Sequence, residues 1–235
     1  MSHDTTTKPN DEQTKRSQFD HVESVASALQ SITNGRRTTY EVFSDWVDML
    51  MAVTMAGRGE HIYQAAIEPY TPEELEGFQE AFAHLMLAME DTQTEALGDT
   101  YMLLGMNSEN LAQHFTPHSV SEMMANLTVE STEPEDGVIK LVDPACGSGR
   151  LLVGAGSFLH DEDETGHFVG VDKDGLCAKM AAVNLAFFNL EGRVFHADSL
   201  SMDVWSGWES TSTSMGTGAL REIPEEDLPD KFGLD

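Results

Sequence analysis

The chain has 235 residues, of which 41 are acidic and only 13 are basic, so its net charge is -28 at pH 7. A hydrophobic content of 40% is enough for a packed core and excludes disorder over the whole chain. The sequence has no apolar run of the roughly 18 residues that a membrane span needs, and its first twenty residues have no signal-peptide core. We therefore expect an acidic, soluble, cytoplasmic protein.

The charge bears on the partners that the protein can have. An acidic surface repels the phosphate backbone of nucleic acids at ordinary ionic strength. Only six of the basic residues are lysines, and lysine depletion with abundant acids resembles the composition of halophilic proteins from salt-accumulating microbes. In molar salt the Debye length falls to about 3 Å, which screens the repulsion. The charge indicates either simple solubility or a halophilic protein, and the second reading is compatible with a DNA partner.

The N-terminal half is predicted to be helical. Residues 1–20 are polar and lack an apolar period, which predicts a disordered tail. Residues 21–110 are predicted to form a helical subdomain, because apolar residues recur at three- and four-residue steps from Glu41. Thr71-Pro72-Glu73-Glu74 is a helix start with a capping box, and Gly105 is a candidate C-terminal glycine. The face that follows this start consists of Leu75, Phe78, Phe82, Leu85, Met86 and Met89.

No metal site is predicted. His114 and His118 have the four-residue spacing of helical metal ligands, but Pro117 lies between them and argues against one continuous helix. The cysteines Cys146 and Cys177 are 31 residues apart, which is not the spacing of a metal knuckle or a disulfide framework.

From Gly137 onward the pattern changes to short apolar runs, each ending in an acid. The predicted strands are 138–143, 168–172 and 193–198. A glycine-rich turn and a helix over 151–159 connect the first two strands, and a helix capped by Asp174 connects the second and third. Alternating strands and helices predict an α/β fold with parallel strands. Residues 111–200 are thus predicted to form a Rossmann-like domain, followed by an acidic tail over 201–235.

The strand-end acids Asp143, Asp172 and Asp198 indicate a ligand site, because ligands of open parallel sheets bind at the carboxyl ends of the strands. A nicotinamide dinucleotide is one alternative. Its fingerprint needs a third glycine where this chain has Leu152, and Asp143 would face its pyrophosphate with a negative charge. S-adenosylmethionine carries an ammonium and a sulfonium group, so the acidic turn favours that cofactor.

The turn Asp143-Pro144-Ala145-Cys146-Gly147-Ser148-Gly149 resembles the cofactor turn of amino-group DNA methyltransferases. It is most similar to N-6 adenine methylases of the kind that serve as modification subunits of type I restriction-modification systems. Upstream, Gln113-His114-Phe115-Thr116-Pro117 resembles the G-Q-F-x-T-P segment of that family, with His114 as a variant. The resemblance covers roughly residues 40–200. It implies a Rossmann-like S-adenosylmethionine-dependent methyltransferase fold with a partial parallel sheet, of the restriction-modification or solitary type, and DNA as the substrate.

The resemblance also implies roles for the candidate residues. The 115–117 segment would close over the methionine part of S-adenosylmethionine, and the 143–149 turn would hold its amino-acid end. Asp172 would accept hydrogen bonds from both ribose hydroxyls, and Asp198 would accept one from the adenine amino group. The candidate cofactor-binding residues are Phe115, Thr116, Pro117, Asp143, Pro144, Ala145, Cys146, Gly147, Gly149, Asp172 and Asp198.

One family motif does not occur in these 235 residues. The family binds a flipped-out adenine with an acid or amide, two prolines and an aromatic residue. This chain has eight prolines and no Pro-Pro pair, and Asp227-Leu228-Pro229-Asp230 lacks the second proline and the aromatic residue. The catalytic residues therefore stay unassigned. Three hypotheses remain. The first is an N-6 adenine DNA methyltransferase. The second is an S-adenosylmethionine-binding module without its own catalysis, either a relic or one half of a split methyltransferase that works with a second methyltransferase or specificity subunit. The third is a nicotinamide-dependent enzyme, which Leu152 and Asp143 disfavour.

Overall fold

The computed structural model describes residues 11–33, 35–92, 94–106, 116, 118–162, 164–229 and 232. Within these residues, six helices precede the first strand: α1 (Asp11–Ile32), α2 (Thr39–Thr54), α3 (Glu60–Ile67), α4 (Pro72–Thr92), α5 (Leu97–Leu103) and α6 (His118–Glu130). The capping box at Thr71 is confirmed, since the Glu74 amide donates to Thr71 Oγ1 and the Thr71 amide donates to Glu74 Oε2. A second capping box, between Thr38 and Glu41, starts α2.

The prediction of disorder over residues 1–20 is wrong for residues 11–20, which belong to α1. Gln18 is buried, and its amide donates to Thr94 Oγ1 over 2.9 Å. The helix is stabilised by an apolar stripe that packs on α4 and begins only at Val22. The polar first turns extend outward from this stripe, which is why the sequence pattern does not reveal them. Residues 1–10 lie outside the described part of the chain.

The sheet has five strands within the described residues: β1 (Val138–Asp143), β2 (Thr165–Asp172), β3 (Gly192–Asp198), β4 (Asp203–Thr211) and β5 (Ala219–Glu222). They are adjacent in chain order, with β1, β2 and β3 parallel and β4 and β5 antiparallel. Two helices connect the parallel strands, α7 (Arg150–Asp161) and α8 (Gly175–Phe187). The prediction of an α/β fold with a partial parallel sheet behind a helical region is confirmed.

The two faces of the sheet are covered differently. Strands that advance in the order β1, β2, β3 through right-handed crossovers place α7 and α8 on the same face. That face contributes Leu141, Phe168 and Val194 to the main core. The opposite face carries a smaller cluster, covered by the segment after β5 and made of Val169, Val171, Phe195, Ala197 and Ile223, with Val204, Leu228 and Phe232 packed against it.

The helical region packs on α8. The buried residues of α2 include all six from which its helix is predicted, namely Val42, Phe43, Trp46, Val47, Leu50 and Met51. Asp48 of α2 forms an ion pair with Lys179 of α8, with 2.6 Å between Oδ1 and Nζ. The ring centroids of Phe82 in α4 and Phe187 in α8 lie 6.5 Å apart. The ion pair holds α2 beside the carboxyl ends of the strands, because Lys179 is only one turn from the start of α8, whereas Phe187 is the last residue of that helix.

The prediction that 201–235 is only an acidic tail is also wrong. Residues 203–222 form an antiparallel hairpin that extends the sheet beyond β3. Trp208 and Leu220 of this hairpin are buried, and Ile223 covers the far face. Half of the positions in an edge hairpin face water. In this hairpin, Ser, Thr and Glu residues obscure the alternation of apolar and polar residues that would indicate a strand. None of the helices in the described ranges is both long enough and apolar enough to cross a membrane.

Candidate cofactor site

The register of the parallel strands brings the predicted acids to one edge. Asp143 is paired with Gly170, and Asp172 follows two residues after Gly170, so both acids point to the same face of the sheet. Asp172 is in turn paired with His196, two residues before Asp198. All three acids therefore lie at the carboxyl edge, and Asp172 and Asp198 each lie two residues beyond the residue that pairs with the preceding acid.

The turn between β1 and α7 needs its glycines. The Cys146 amide donates to the Val171 carbonyl over 2.9 Å, which attaches the turn to β2. Gly147 and Gly149 have φ values of 55° and 82°, and a Cβ atom on Gly149 would lie 3.1 Å from the side chain of Ala181. The Gly147 amide donates to Asp172 and the Gly149 amide to the Cys146 carbonyl. With both amides engaged, the glycines offer a ligand close backbone approach rather than free N–H donors.

Asp143 and Asp172 form an acidic pair whose charge is costly. Asp143 Oδ1 accepts from the Ala145 amide at 3.0 Å, whereas Asp172 accepts from the amides of Gly147 and Asp174, both at 2.8 Å. Burial raises the pKa of both carboxyls; the charge of Asp172 adds to the effect on Asp143, and that of Asp174 adds to the effect on Asp172. A cationic ligand would relieve this cost. The set therefore fits the ammonium and sulfonium groups of S-adenosylmethionine better than a pyrophosphate.

Asp198 has the opposite electrostatics. Lys173 Nζ contacts its Oδ2 at 2.6 Å, and the amides of Leu200 and Ser201 donate to its Oδ1 at 2.9 and 3.2 Å. These contacts lower the pKa of Asp198 to about 2, so the carboxylate is held ionised. Lys173 is not among the residues predicted from the sequence. Its position directly after Asp172 is a usable signal, because the loops that follow two adjacent parallel strands meet at the same edge.

The remaining predicted residues fall into two groups. Pro144, Ala145 and Cys146 lie in the turn, with Cys146 buried and the pKa of its thiol raised by that burial. Of the upstream segment, the structure describes Thr116, whose carbonyl accepts from Arg150 Nη1 at 3.0 Å. Phe115, Pro117 and His114 lie outside the described residues. Among the residues that are described, no group of three or more His, Cys, Asp or Glu is placed to hold a metal ion.

A buried network behind the turn was not predicted. Glu95, before α5, is fully buried, and its carboxylate accepts from Arg150 Nε at 2.7 Å and from Ser148 Oγ at 3.0 Å. Its other oxygen accepts from the Gly98 amide and the Asn184 side chain. The sequence gives little signal for this, because one acid among 41 shows no sign of being buried. The network attaches the glycine turn to the helical region.

The fold is an open α/β domain, and its candidate ligand site lies at the carboxyl ends of the parallel strands. A family model described as N-6 DNA methylase matches residues 92–215, slightly more than half of the chain. The chain therefore belongs to the N-6 DNA methylase family, which confirms the resemblance seen in the sequence.

One solved structure that this chain matches is that of a Listeria monocytogenes protein described as a class I S-adenosylmethionine-dependent methyltransferase. The identity is 22% and the TM-score is 0.41. The match covers 74% of this chain and 50% of the other, so this chain spans half the length of that protein. A search of the curated proteins returns no match.

Proposed function

We propose that the chain binds S-adenosylmethionine at the carboxyl edge of β1, β2 and β3, and that it is the cofactor-binding part of an N-6 adenine DNA methyltransferase. The observation that carries this proposal is the acidic pair Asp143 and Asp172 beside the glycine turn, whose charge is costly without a cation. Membership of the N-6 DNA methylase family supports it. When bound, S-adenosylmethionine supplies an electrophilic methyl group on a positively charged sulfur.

Different residues at this edge would bind different parts of the cofactor. Asp143 would hold the amino-acid end next to the turn. Asp172 already accepts two backbone N–H groups, but a carboxylate has about four lone-pair sites, so two remain for the ribose hydroxyls. Asp198 would share its lone pairs between the amides of its own turn and the adenine amino group. Thr116 would lie on the methionine side, held there through its carbonyl group.

Calorimetric titration of the purified chain in concentrated KCl tests this assignment. We expect binding of S-adenosylmethionine and of S-adenosylhomocysteine, with the first tighter because the sulfonium charge faces the acidic pair. NAD serves as the comparison ligand, since its pyrophosphate would face the same carboxylates. Tight NAD binding without an S-adenosylmethionine signal would refute the proposed cofactor.

A second observation supports the hypothesis of a split or two-part methyltransferase. Among the described residues, β2 is the only strand that pairs with β1. The other edge of β1 has only the single bridge between Val138 and Glu135. An open edge of this kind is a template for an added strand. On α6, which packs on α7, four apolar residues at positions i, i+3, i+4 and i+7 are 40–59% exposed: Val120, Met123, Met124 and Leu127. We propose that a further polypeptide segment covers these residues and extends the sheet at β1.

The chemistry gives such a segment a function. The adenine amine is a weak nucleophile, because its lone pair is delocalised into the ring. Its hydrogens must be drawn by acceptors that aim the nitrogen at the methyl group, and such positioning is worth roughly 7–11 kcal/mol of the barrier. Trp205 is 48% exposed, and its ring lies 4.7 Å from the ring of His196 at an interplanar angle of 60°, so it could contact a flipped base. The acid-or-amide, Pro-Pro and aromatic motif that supplies the acceptors in this family does not occur in these 235 residues.

The test is transfer of labelled methyl groups to DNA in molar KCl, with the chain alone and with a separately expressed polypeptide that carries the missing motif. We expect little or no transfer by the chain alone and transfer when the two are combined. The control is the same polypeptide with its Pro-Pro pair replaced by Ala-Ala. Robust transfer by the chain alone would contradict this hypothesis and would assign the acceptors to residues present here.

A further inference from the structure

Arg150 is the first residue of α7, directly after the glycine turn, and its side chain is almost completely buried. A cation in the first turn of a helix is unfavourable, because the helix macrodipole is positive at that end. Two carboxylates offset the cost here: Arg150 Nε lies 2.7 Å from Glu95 Oε1, and Nη2 lies 2.5 Å from Asp99 Oδ1. The charges of both acids raise the pKa of Arg150 against the effect of its burial.

The groups that Arg150 contacts belong to two different parts of the molecule. Glu95 and Asp99 belong to the helical region around α5. The third partner is the backbone carbonyl of Thr116, at 3.0 Å from Nη1, in the segment that enters α6. The guanidinium thus joins the helical region and the Thr116 backbone to the start of α7.

The same network reaches the glycine turn through Ser148. Ser148 Oγ donates to the Glu95 oxygen that also accepts from Arg150, and the Ser148 carbonyl accepts from Asn184 of α8 at 2.8 Å. The packing leaves no room for adjustment, since a Cβ atom on Gly98 would lie 2.5 Å from Ser148 Oγ. His118, at the start of α6, contacts the other oxygen of Asp99 at 2.7 Å. The turn, the Thr116 backbone and the helical region are therefore fixed relative to one another.

We infer that Arg150 is a positioning residue for the methionine end of the cofactor, acting through the Thr116 carbonyl and, with Glu95, through the Ser148 turn. The inference rests on the proposed binding of S-adenosylmethionine. It distinguishes the two ends of the ligand, because the adenosine end lies at Asp172 and Asp198, whose own contacts are to Gly147, Lys173 and neighbouring amides. Arg150 contacts neither Asp172 nor Asp198, so we expect its effect to fall mainly on the methionine end of the ligand.

The variant Arg150→Lys tests this inference. Lysine keeps the positive charge beside Glu95 but has no planar fork, so it cannot bridge both carboxylates and the Thr116 carbonyl together. Two probes are titrated: S-adenosylmethionine, and 5′-methylthioadenosine, which has the adenosine end but lacks the amino-acid group. We expect the affinity for S-adenosylmethionine to fall about tenfold, as for the loss of one hydrogen bond from a charged donor. The affinity for methylthioadenosine should stay unchanged.

Asp99→Asn is the second variant, since it weakens one arm of the bridge while Glu95 still pairs with the guanidinium, and it should produce a smaller change in the same direction. Arg193→Lys is the matched control. Arg193 lies near the start of β3, at the opposite end of the strand from Asp198, and forms an exposed ion pair with Glu209 of β4. Equal loss of both probes, or no loss of either, in a folded Arg150→Lys protein would overturn the inference. If the unsubstituted chain binds neither probe, the proposed cofactor itself is wrong.

Discussion

Replacing each acid of the pair Asp143 and Asp172 by asparagine should change the stability of the fold in opposite directions but weaken cofactor binding in both cases. In Asp143→Asn, the side-chain oxygen can still accept from the Ala145 amide, so the turn keeps its hydrogen bond. The substitution removes a carboxylate whose pKa is raised in the folded protein, and such a group destabilises the fold whenever the pH lies above that pKa. At pH 7.5 we therefore expect the free energy of unfolding of Asp143→Asn to be higher than that of the unsubstituted chain.

Asp172→Asn should change stability in the opposite direction. Both oxygens of Asp172 accept backbone N–H groups, one from Gly147 and one from Asp174. The amide nitrogen of asparagine is a donor and cannot replace the second acceptor, so one partly buried N–H loses its partner, at a cost of up to about 1–3 kcal/mol. For a chain of this size, each kcal/mol corresponds to roughly 2–4 °C in melting temperature.

Binding should respond alike in both variants. Each removes a negative charge that faces the cationic cofactor, so the affinity for S-adenosylmethionine should fall by about 1.5–3 kcal/mol, or roughly ten- to a hundredfold. The measurements are thermal melts and calorimetric titrations in the same KCl buffer, with the exposed acid Asp227→Asn as the control. If Asp143→Asn loses stability as Asp172→Asn does, or if either variant binds the cofactor normally, the description of these acids as a costly, cation-seeking pair is wrong.

Three further predictions follow from the charges. The melting temperature should rise with KCl concentration up to the molar range, because a net charge of -28 repels itself in dilute buffer; a flat salt profile would exclude the halophilic interpretation. Lys173→Met should raise the pKa of Asp198 from about 2, as measured by carboxyl NMR titration. Because the pKa of Asp198 is lowered in the folded protein, its ionised carboxylate stabilises the fold above the unfolded pKa, and this stabilisation is lost as the pH falls through about 2. An unchanged pKa in the variant would show that the Leu200 and Ser201 amides alone lower it. Affinity for S-adenosylmethionine should fall as the pH drops through the raised pKa values of Asp143 and Asp172. Near those pKa values, binding should release protons, which calorimetric titration in buffers of different ionisation enthalpy detects. Binding that does not depend on pH would mean that neither acid contacts the cationic groups of the cofactor.

The part of the site that could be predicted from the sequence is the part held by the main chain. The strand ends at Asp143, Asp172 and Asp198 coincide with the observed ones, because an apolar run that ends in an acid marks a buried parallel strand reaching the surface. The cap at Asp174 was also predictable, and its carboxylate accepts from the Leu176 and Cys177 amides. These features depend on residues close together in the sequence.

The features that were missed depend on distant residues. Glu95 and Arg150 are 55 positions apart, and their pairing arises only when α5 packs beside α7. The hairpin β4–β5 was missed because its buried residues, Trp208 and Leu220, are separated by polar residues that face water. Periodicity detects a segment that buries one whole face, and it does not detect single buried charges or short edge strands.

The arrangement of the sheet bears on the proposal that cofactor binding and methyl transfer are divided between this chain and a second polypeptide segment. The residues that would hold the cofactor follow β1, β2 and β3, which are complete and paired within the described chain. After β3 the chain turns back as an antiparallel hairpin on the far side of the sheet, away from the open edge of β1. A strand added at β1 in the parallel direction would end beside Asp143, next to the methionine end of the cofactor, because parallel strands share their carboxyl edge. Acceptors for the adenine amine on such a strand would lie near the methyl group, whereas acceptors after β4 or β5 would lie beyond Asp198, near the adenine of the cofactor. The geometry of the sheet therefore favours the β1 side for the missing acceptors.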